Sequence, residues 1–272
     1  MTASDVAANS GGAVAGSYMD TVRLLAGAQK KAAPGAPPYS VYVNRRVGRF
    51  MAAWAFRRGL KPNTVSGISA AFTFSGIILL AVLAPHWWTG LLIWAALAVG
   101  YVLDSADGQV ARLGGRGSVG GEWLDHVLDS IKISSLHLAV LVTAYLHFGL
   151  APQAWLLVPI GYTIVAAVSF FAMILNDQLK AVHGGQQHTP AVPRGRAATV
   201  AKSILLLPTD YGVLCLVFLF LGAPLVFFVL YTIFLVANAG HLLLASRKWF
   251  RDMQKLQTNL SARSISQERS NG

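Results

Sequence analysis

The chain has 272 residues, of which 54% are hydrophobic and only 12% charged, and its mean hydropathy is +0.53. Soluble domains carry about a quarter charged residues, so this balance argues against a water-soluble globule. The 22 Lys and Arg against 11 Asp and Glu give a formal charge of +11. They cluster between and beyond the apolar runs and form no continuous soluble face, which argues against nucleic acid as a partner. Cys215 is the only cysteine, leaving no disulfide framework and no cysteine zinc site.

Residues 1–38 are rich in Ala, Gly and Ser and close on Pro34-Gly-Ala-Pro-Pro38. They read as a disordered arm without the apolar run of a signal peptide, apart from a short amphipathic turn around Tyr18–Leu25. From 39 to 58, Val43, Val47, Phe50, Met51, Trp54 and Ala55 recur at helical spacing while Arg45, Arg46, Arg49, Arg57 and Arg58 take other positions. That pattern predicts an amphipathic juxtamembrane helix in an anionic headgroup layer.

A helix needs about 20 mostly apolar residues to cross a bilayer core. Six stretches qualify: Thr64–Ala84, Trp88–Ser105, Trp123–Leu146, Trp155–Leu175, Ile204–Leu221 and Pro224–Leu244. The expected fold is therefore an all-α polytopic membrane protein with a membrane domain over 39–250 and a polar tail over 251–272. All basic residues except Lys132 fall in the N-terminal segment, the 106–122 and 176–203 loops or the tail, while the opposite connections hold no Lys or Arg. The positive-inside rule then places both termini and those loops on the cytoplasmic side of the membrane.

Four aspartates lie within 104–129. On a helix Asp104 and Asp107 share a face at i and i+3, and Asp125 and Asp129 share one at i and i+4. Two such pairs facing each other make a cage of four carboxylates, which is costly at a bilayer boundary unless cations neutralise it. Oxygen-only ligands suit hard ions such as Mg²⁺ or Mn²⁺, and carboxylate-held cations serve phosphoryl chemistry. Gly108 and the glycine-rich segment 114–121 allow backbone to approach a ligand closely, and Arg112 is placed to meet a pyrophosphate. A proton or cation pathway is the competing reading from another class; it would thread acids across the bilayer, whereas these gather at one face.

The arrangement Asp-x2-Asp-Gly-x2-Ala-Arg-x8-Gly-x3-Asp-x3-Asp, carried by Asp104, Asp107, Gly108, Ala111, Arg112, Gly121, Asp125 and Asp129, resembles the signature of the CDP-alcohol phosphotransferase family. Its chance occurrence is on the order of 10⁻¹⁰ per starting position at ordinary residue frequencies. The resemblance implies transfer of a substituted phosphate from a CDP-linked donor to an alcohol with release of CMP. It implies two divalent cations, Mg²⁺ or Mn²⁺, on Asp104, Asp107, Asp125 and Asp129, with Asp129 also the general base. It further implies a CDP site lined by Gly108, Ala111, Arg112 and Gly121, and a homodimer working in phospholipid biosynthesis. Bacterial relatives favour CDP-diacylglycerol as donor, whereas Gly121-Glu-Trp-Leu-Asp-His-x2-Asp-Ser130 is similar to the choline/ethanolamine branch, which uses a lipid alcohol.

Several residues keep two readings. Asn63, before the first span, either helps the CDP site or caps the helix. Lys132 either binds an anionic substrate group or neutralises Asp129, and Asp210 either lines the acceptor cavity or is satisfied locally. Asn238 and His241 share a face that contacts an acceptor or bonds between helices. His126 points away from the aspartates, Cys215 is a small core or lipid-facing group, and the 181–200 loop reads as a mobile cover with no chemistry.

Overall fold

The structure is a computed structural model that describes residues 16–27, 37–115, 117–183 and 207–271, with side chains described as far as Thr258. Its regular elements among these residues are helical. They are α1 (Tyr18–Gly27), α2 (Arg45–Arg57, entered through a π-helical turn at Ser40–Asn44), α3 (Pro62–Val82), α4 (Trp87–Leu113), α5 (Val119–His147), α6 (Leu157–His183), α7 (Tyr211–Val217) and α8 (Pro224–Asn271).

Helices α3, α4, α5, Gln153–His183 and Pro224–Thr258 are long and apolar enough to cross a membrane, so the chain is a multi-pass membrane protein. The sixth expected span, 204–221, is not such a helix among the described residues: α7 and a 3₁₀ turn (Phe218–Gly222) together cover only Tyr211–Gly222, and 204–206 lie outside them. The physical reason is local. Pro208 lies in a separate 3₁₀ turn, and Asp210 starts α7 as its N-cap by accepting from the Gly212 amide at 3.0 Å.

Pro62 at the start of α3 suits a helix N-terminus, where its missing N–H is no loss. Between Val65 and Ile77 the buried stripe of α3 is made of small residues, Ser66, Ser69, Ala70, Thr73 and Gly76. That stripe lets α4 come close: Ser69 Oγ donates to the Gly100 carbonyl at 2.9 Å, and a side chain at Gly100 would run into Thr73. Deeper in the bundle Leu80, Ile93, Leu97, Leu136, Val140, Phe218, Phe227 and Tyr231 form the core. One polar group there is paired internally, with His137 Nδ1 and the Tyr231 hydroxyl 2.6 Å apart.

Where the sequence shows a short amphipathic turn around Tyr18–Leu25, 18–27 form a helix, and 1–15 and 28–36 lie outside the described residues. Ser17 and Asp20 form a capping box: the Ser17 amide and hydroxyl each donate to Asp20 Oδ2 at 2.9 Å, while the Asp20 amide reaches back to Ser17 Oγ at 3.3 Å. Those bonds hold the Asp20 carboxyl below the usual carboxylate range. Val22 and Leu25 bury themselves against α2, and the Tyr18 hydroxyl donates to the Phe50 carbonyl at 2.7 Å.

Helix α2 has two faces. Asn44, Gly48, Ala52, Ala53 and Ala55 are buried, and Gly48 lies against Ser105 and Val102 of α4. Tyr42, Val43, Val47, Phe50, Met51 and Trp54 are exposed on the other side. The polar tail is helical, since α8 continues as one helix to Asn271, and Lys180 pairs with Asp252 at 2.9 Å.

Candidate active site

The site lies where the start of α3, the end of α4 and the start of α5 meet. Ser118 caps α5 by accepting from the Gly121 amide at 3.0 Å, so the glycine-rich segment ends on a defined turn and delivers Asp125 and Asp129 about two and three turns into α5. Asp104 and Asp107 project from the last turns of α4. Helix α4 packs against α2, α3 and the α7 region, and α5 packs against α3 and α6, but among the described residues α4 and α5 make no extensive contact with each other. The carboxylates face one another across that gap.

The four aspartates divide unequally. Oxygens of Asp104, Asp107 and Asp125 lie within 4.8 Å of one another. Asp129 is set apart from them by Lys132, whose Nζ is 3.1 Å from Asp129 Oδ1 and 2.6 Å from Asp104 Oδ1. An octahedral Mg²⁺ with bonds of about 2.1 Å spans about 4.2 Å between opposite ligands, so the triad fits one hard cation with little adjustment. Ser66 Oγ donates to Asp107 Oδ2 at 2.5 Å and fixes the orientation of that carboxylate.

Two cavities flank the triad. The larger, of about 510 Å³, is lined by Asn63, Ser66, Asp107, Gly108, Ala111, Arg112, Ser118, Gly121, Glu122 and Asp125. Every residue the sequence assigned to a CDP moiety is therefore gathered there, Asn63 included. The smaller, of about 260 Å³, opens between α2 and α4 on the other side and is lined by Ser40, Asn44, Arg45, Tyr101, Asp104, Ser105, Gln109, Arg112 and Asp125. Asn44 is 2% exposed, and while its amide nitrogen donates to the Tyr101 carbonyl at 3.1 Å, its Oδ1 has no hydrogen-bond partner.

The residues singled out for an acceptor lie elsewhere. Lys132 is engaged by the two aspartates and lines neither cavity. Asp210 is also outside both; it is 1% exposed and accepts from the amides of Ser40 and Gly212, tying α7 to the entry of α2. Asn238 donates to the Tyr162 hydroxyl and the Pro208 carbonyl, an interhelical role, and His241 is exposed. His126 sits 3.9 Å from Glu122 instead of among the aspartates, and Cys215 is a buried thiol. Of the 181–200 loop, 184–200 lie outside the described residues.

Sequence reasoning missed Ser66, Ser118, Glu122 and Asn44. A serine four residues past Pro62, on the small-residue stripe of α3, was the available signal for Ser66. Asn44, opposite the apolar face of α2, was the signal for the smaller cavity.

Residues 60–243, well over half of the chain, match the family described as CDP-alcohol phosphatidyltransferase. No curated protein matches the chain.

Proposed function

Since the chain belongs to the CDP-alcohol phosphatidyltransferase family, we propose that it moves a phosphatidyl group from CDP-diacylglycerol to a small water-soluble alcohol in phospholipid synthesis. The observation that carries this reading is the carboxylate triad set between two polar cavities of unequal size. The 510 Å³ cavity, with its small wall residues Gly108, Ala111 and Gly121 and the guanidinium of Arg112, suits a cytidine with its pyrophosphate. The smaller cavity lies below the size of an ordinary drug-like ligand site and is lined by polar groups. A polyol or a polyol phosphate suits it, and a diacylglycerol does not.

A divalent cation on Asp104, Asp107 and Asp125 would supply charge neutralisation at the pyrophosphate. The chain's own groups do the rest. Arg112, shared by both cavities, holds phosphate oxygens and orients the donor. The acceptor hydroxyl oxygen attacks the lipid-bearing phosphorus. Its bond to the bridging oxygen of CMP breaks, CMP leaves with that electron pair, and the hydroxyl proton passes to Asp129. Lys132 holds Asp129 in place by the ion pair at 3.1 Å. The cytoplasmic placement of this end, the inner-membrane location and a homodimer belong to the same reading, supported by the charge pattern of the loops and by family resemblance.

The choline/ethanolamine-type stretch at 121–130 favours the second reading, a soluble CDP-alcohol donor and a lipid alcohol. Purified protein in detergent with Mg²⁺ or Mn²⁺ separates the two by CMP release from CDP-diacylglycerol, CDP-choline and CDP-ethanolamine against a panel of alcohols. Release from CDP-diacylglycerol with one soluble alcohol, reduced about 10²–10⁴-fold in Asp129→Asn, is the expected result. Release only from a soluble CDP-alcohol with a lipid acceptor transfers the assignment to the second reading. No metal-dependent release and no cytidine nucleotide binding would refute both.

A further inference from the structure

We infer that Lys132 is a built-in cation standing where a second metal would otherwise sit, so that the active site takes one divalent ion, on Asp104, Asp107 and Asp125; this rests on the metal-dependent transfer proposed above. The sequence resemblance implies two ions shared among four aspartates. The donor set fits the first and not the second. Asp129 contributes no oxygen to the triad, and each of the two carboxylates that would hold a second ion already has one oxygen, Asp104 Oδ1 and Asp129 Oδ1, paired with the Lys132 ammonium.

Helical geometry makes the arrangement a fixed one. Lys132 follows Asp129 by three residues, so its stem rises on the same face of α5 and its Nζ reaches the carboxylate one turn back. The same Nζ reaches across the gap to α4. The lysine side chain is 10% exposed, so little water competes for the ammonium. A dication between Asp104 and Asp129 would displace it from both partners and leave it buried beside two units of like charge. The formal balance agrees: four carboxylates against one dication and one ammonium leave a single negative charge, whereas two dications and the ammonium would leave an excess of positive charge in a site that must release an anion, CMP.

Mn²⁺ binding to the full chain in detergent tests this, read by equilibrium stoichiometry and by electron paramagnetic resonance. The wild type is expected to bind one Mn²⁺ per chain with an uncoupled signal. Lys132→Met is expected to bind two, with the broadening of a spin-coupled pair, because the vacated position between Asp104 and Asp129 then needs a cation. Lys132→Arg and Asp129→Asn are expected to keep one, which maintains the test if Lys132→Met fails to fold. Two coupled ions in the wild type, or loss of the tight ion in Asp129→Asn, would overturn the inference and leave the transfer reaction intact. No Mn²⁺ on any variant would defeat the metal-dependent reaction as well.

Discussion

Replacing Ser66 by Ala removes one oxygen from the wall of the larger cavity, and the consequence is worked from two distances. Ser66 Oγ lies 2.5 Å from Asp107 Oδ2 and 3.2 Å from the Pro62 carbonyl. A hydroxyl has one proton to give, so it goes to the nearer and charged acceptor. A hydrogen bond to a charged group contributes about 1.5–3 kcal/mol. Asp107 is 7% exposed, so water does not readily replace the lost donor. Groups that orient a metal ligand in this way change metal affinity by about 10–100-fold, which is the same range in free energy. Ser66→Ala is therefore expected to raise the Mn²⁺ concentration for half-maximal CMP release by about 10–100-fold, with kcat restored at saturating Mn²⁺. Ser66→Thr, which keeps the hydroxyl, should remain near wild type. Unchanged metal dependence in the alanine variant, or a fall in kcat that excess Mn²⁺ leaves untouched, would refute the orienting role.

Asn44→Ala removes the unpartnered oxygen of the smaller cavity and is expected to raise KM for the acceptor about tenfold, the worth of about one hydrogen bond, with KM for the CDP donor unchanged; an equal rise for the donor would refute the division of the cavities. Leu25 is 2% exposed under α2, and Leu25→Ala should cost about 2–5 kcal/mol of docking. Local loosening of α1 is expected to appear as faster tryptic cleavage after the exposed Arg23, with the main thermal transition little moved; an unchanged cleavage rate would show that α1 is held by other contacts.

The signature around Asp104–Asp129 was legible because its information is local: i,i+3 and i,i+4 spacing puts carboxylates on a face whatever the rest of the chain does. The membrane helices were legible for a similar reason, since length and composition suffice. What distinguishes Asp129 from the other three aspartates was not, because it depends on how Lys132 reaches from α5 to α4, a relation between elements 28 residues apart. Ser66 and Asn44 sit on other helices and gain their roles only by packing. Asp210 kept two readings, and packing decides between them: its depth in an apolar run also suggested a cavity, but its oxygens close the start of a helix. Helix α1 was legible only as a short amphipathic turn around Tyr18–Leu25, because the surrounding composition resembles a linker; its docking on α2 depends on packing.

The absence of extensive packing between α4 and α5 gives the active site an unusual gauge. Elsewhere in the bundle the spacing of helices is set by contact, as where Ser69 reaches Gly100. Here it is set by charge. Ionised carboxylate oxygens within 4.8 Å of one another repel by about 3.5 kcal/mol or more per pair at an effective dielectric near 20. The two walls therefore stand at the separation where that repulsion is balanced by whatever cations lie between them. A larger ion such as Ca²⁺, with bonds of about 2.4 Å against about 2.1 Å for Mg²⁺, holds them further apart. On the metal-dependent transfer proposed above, metal preference would become a question of aperture: oxygens that discriminate poorly between hard ions could still reject one, by being carried out of line with the phosphorus they would serve.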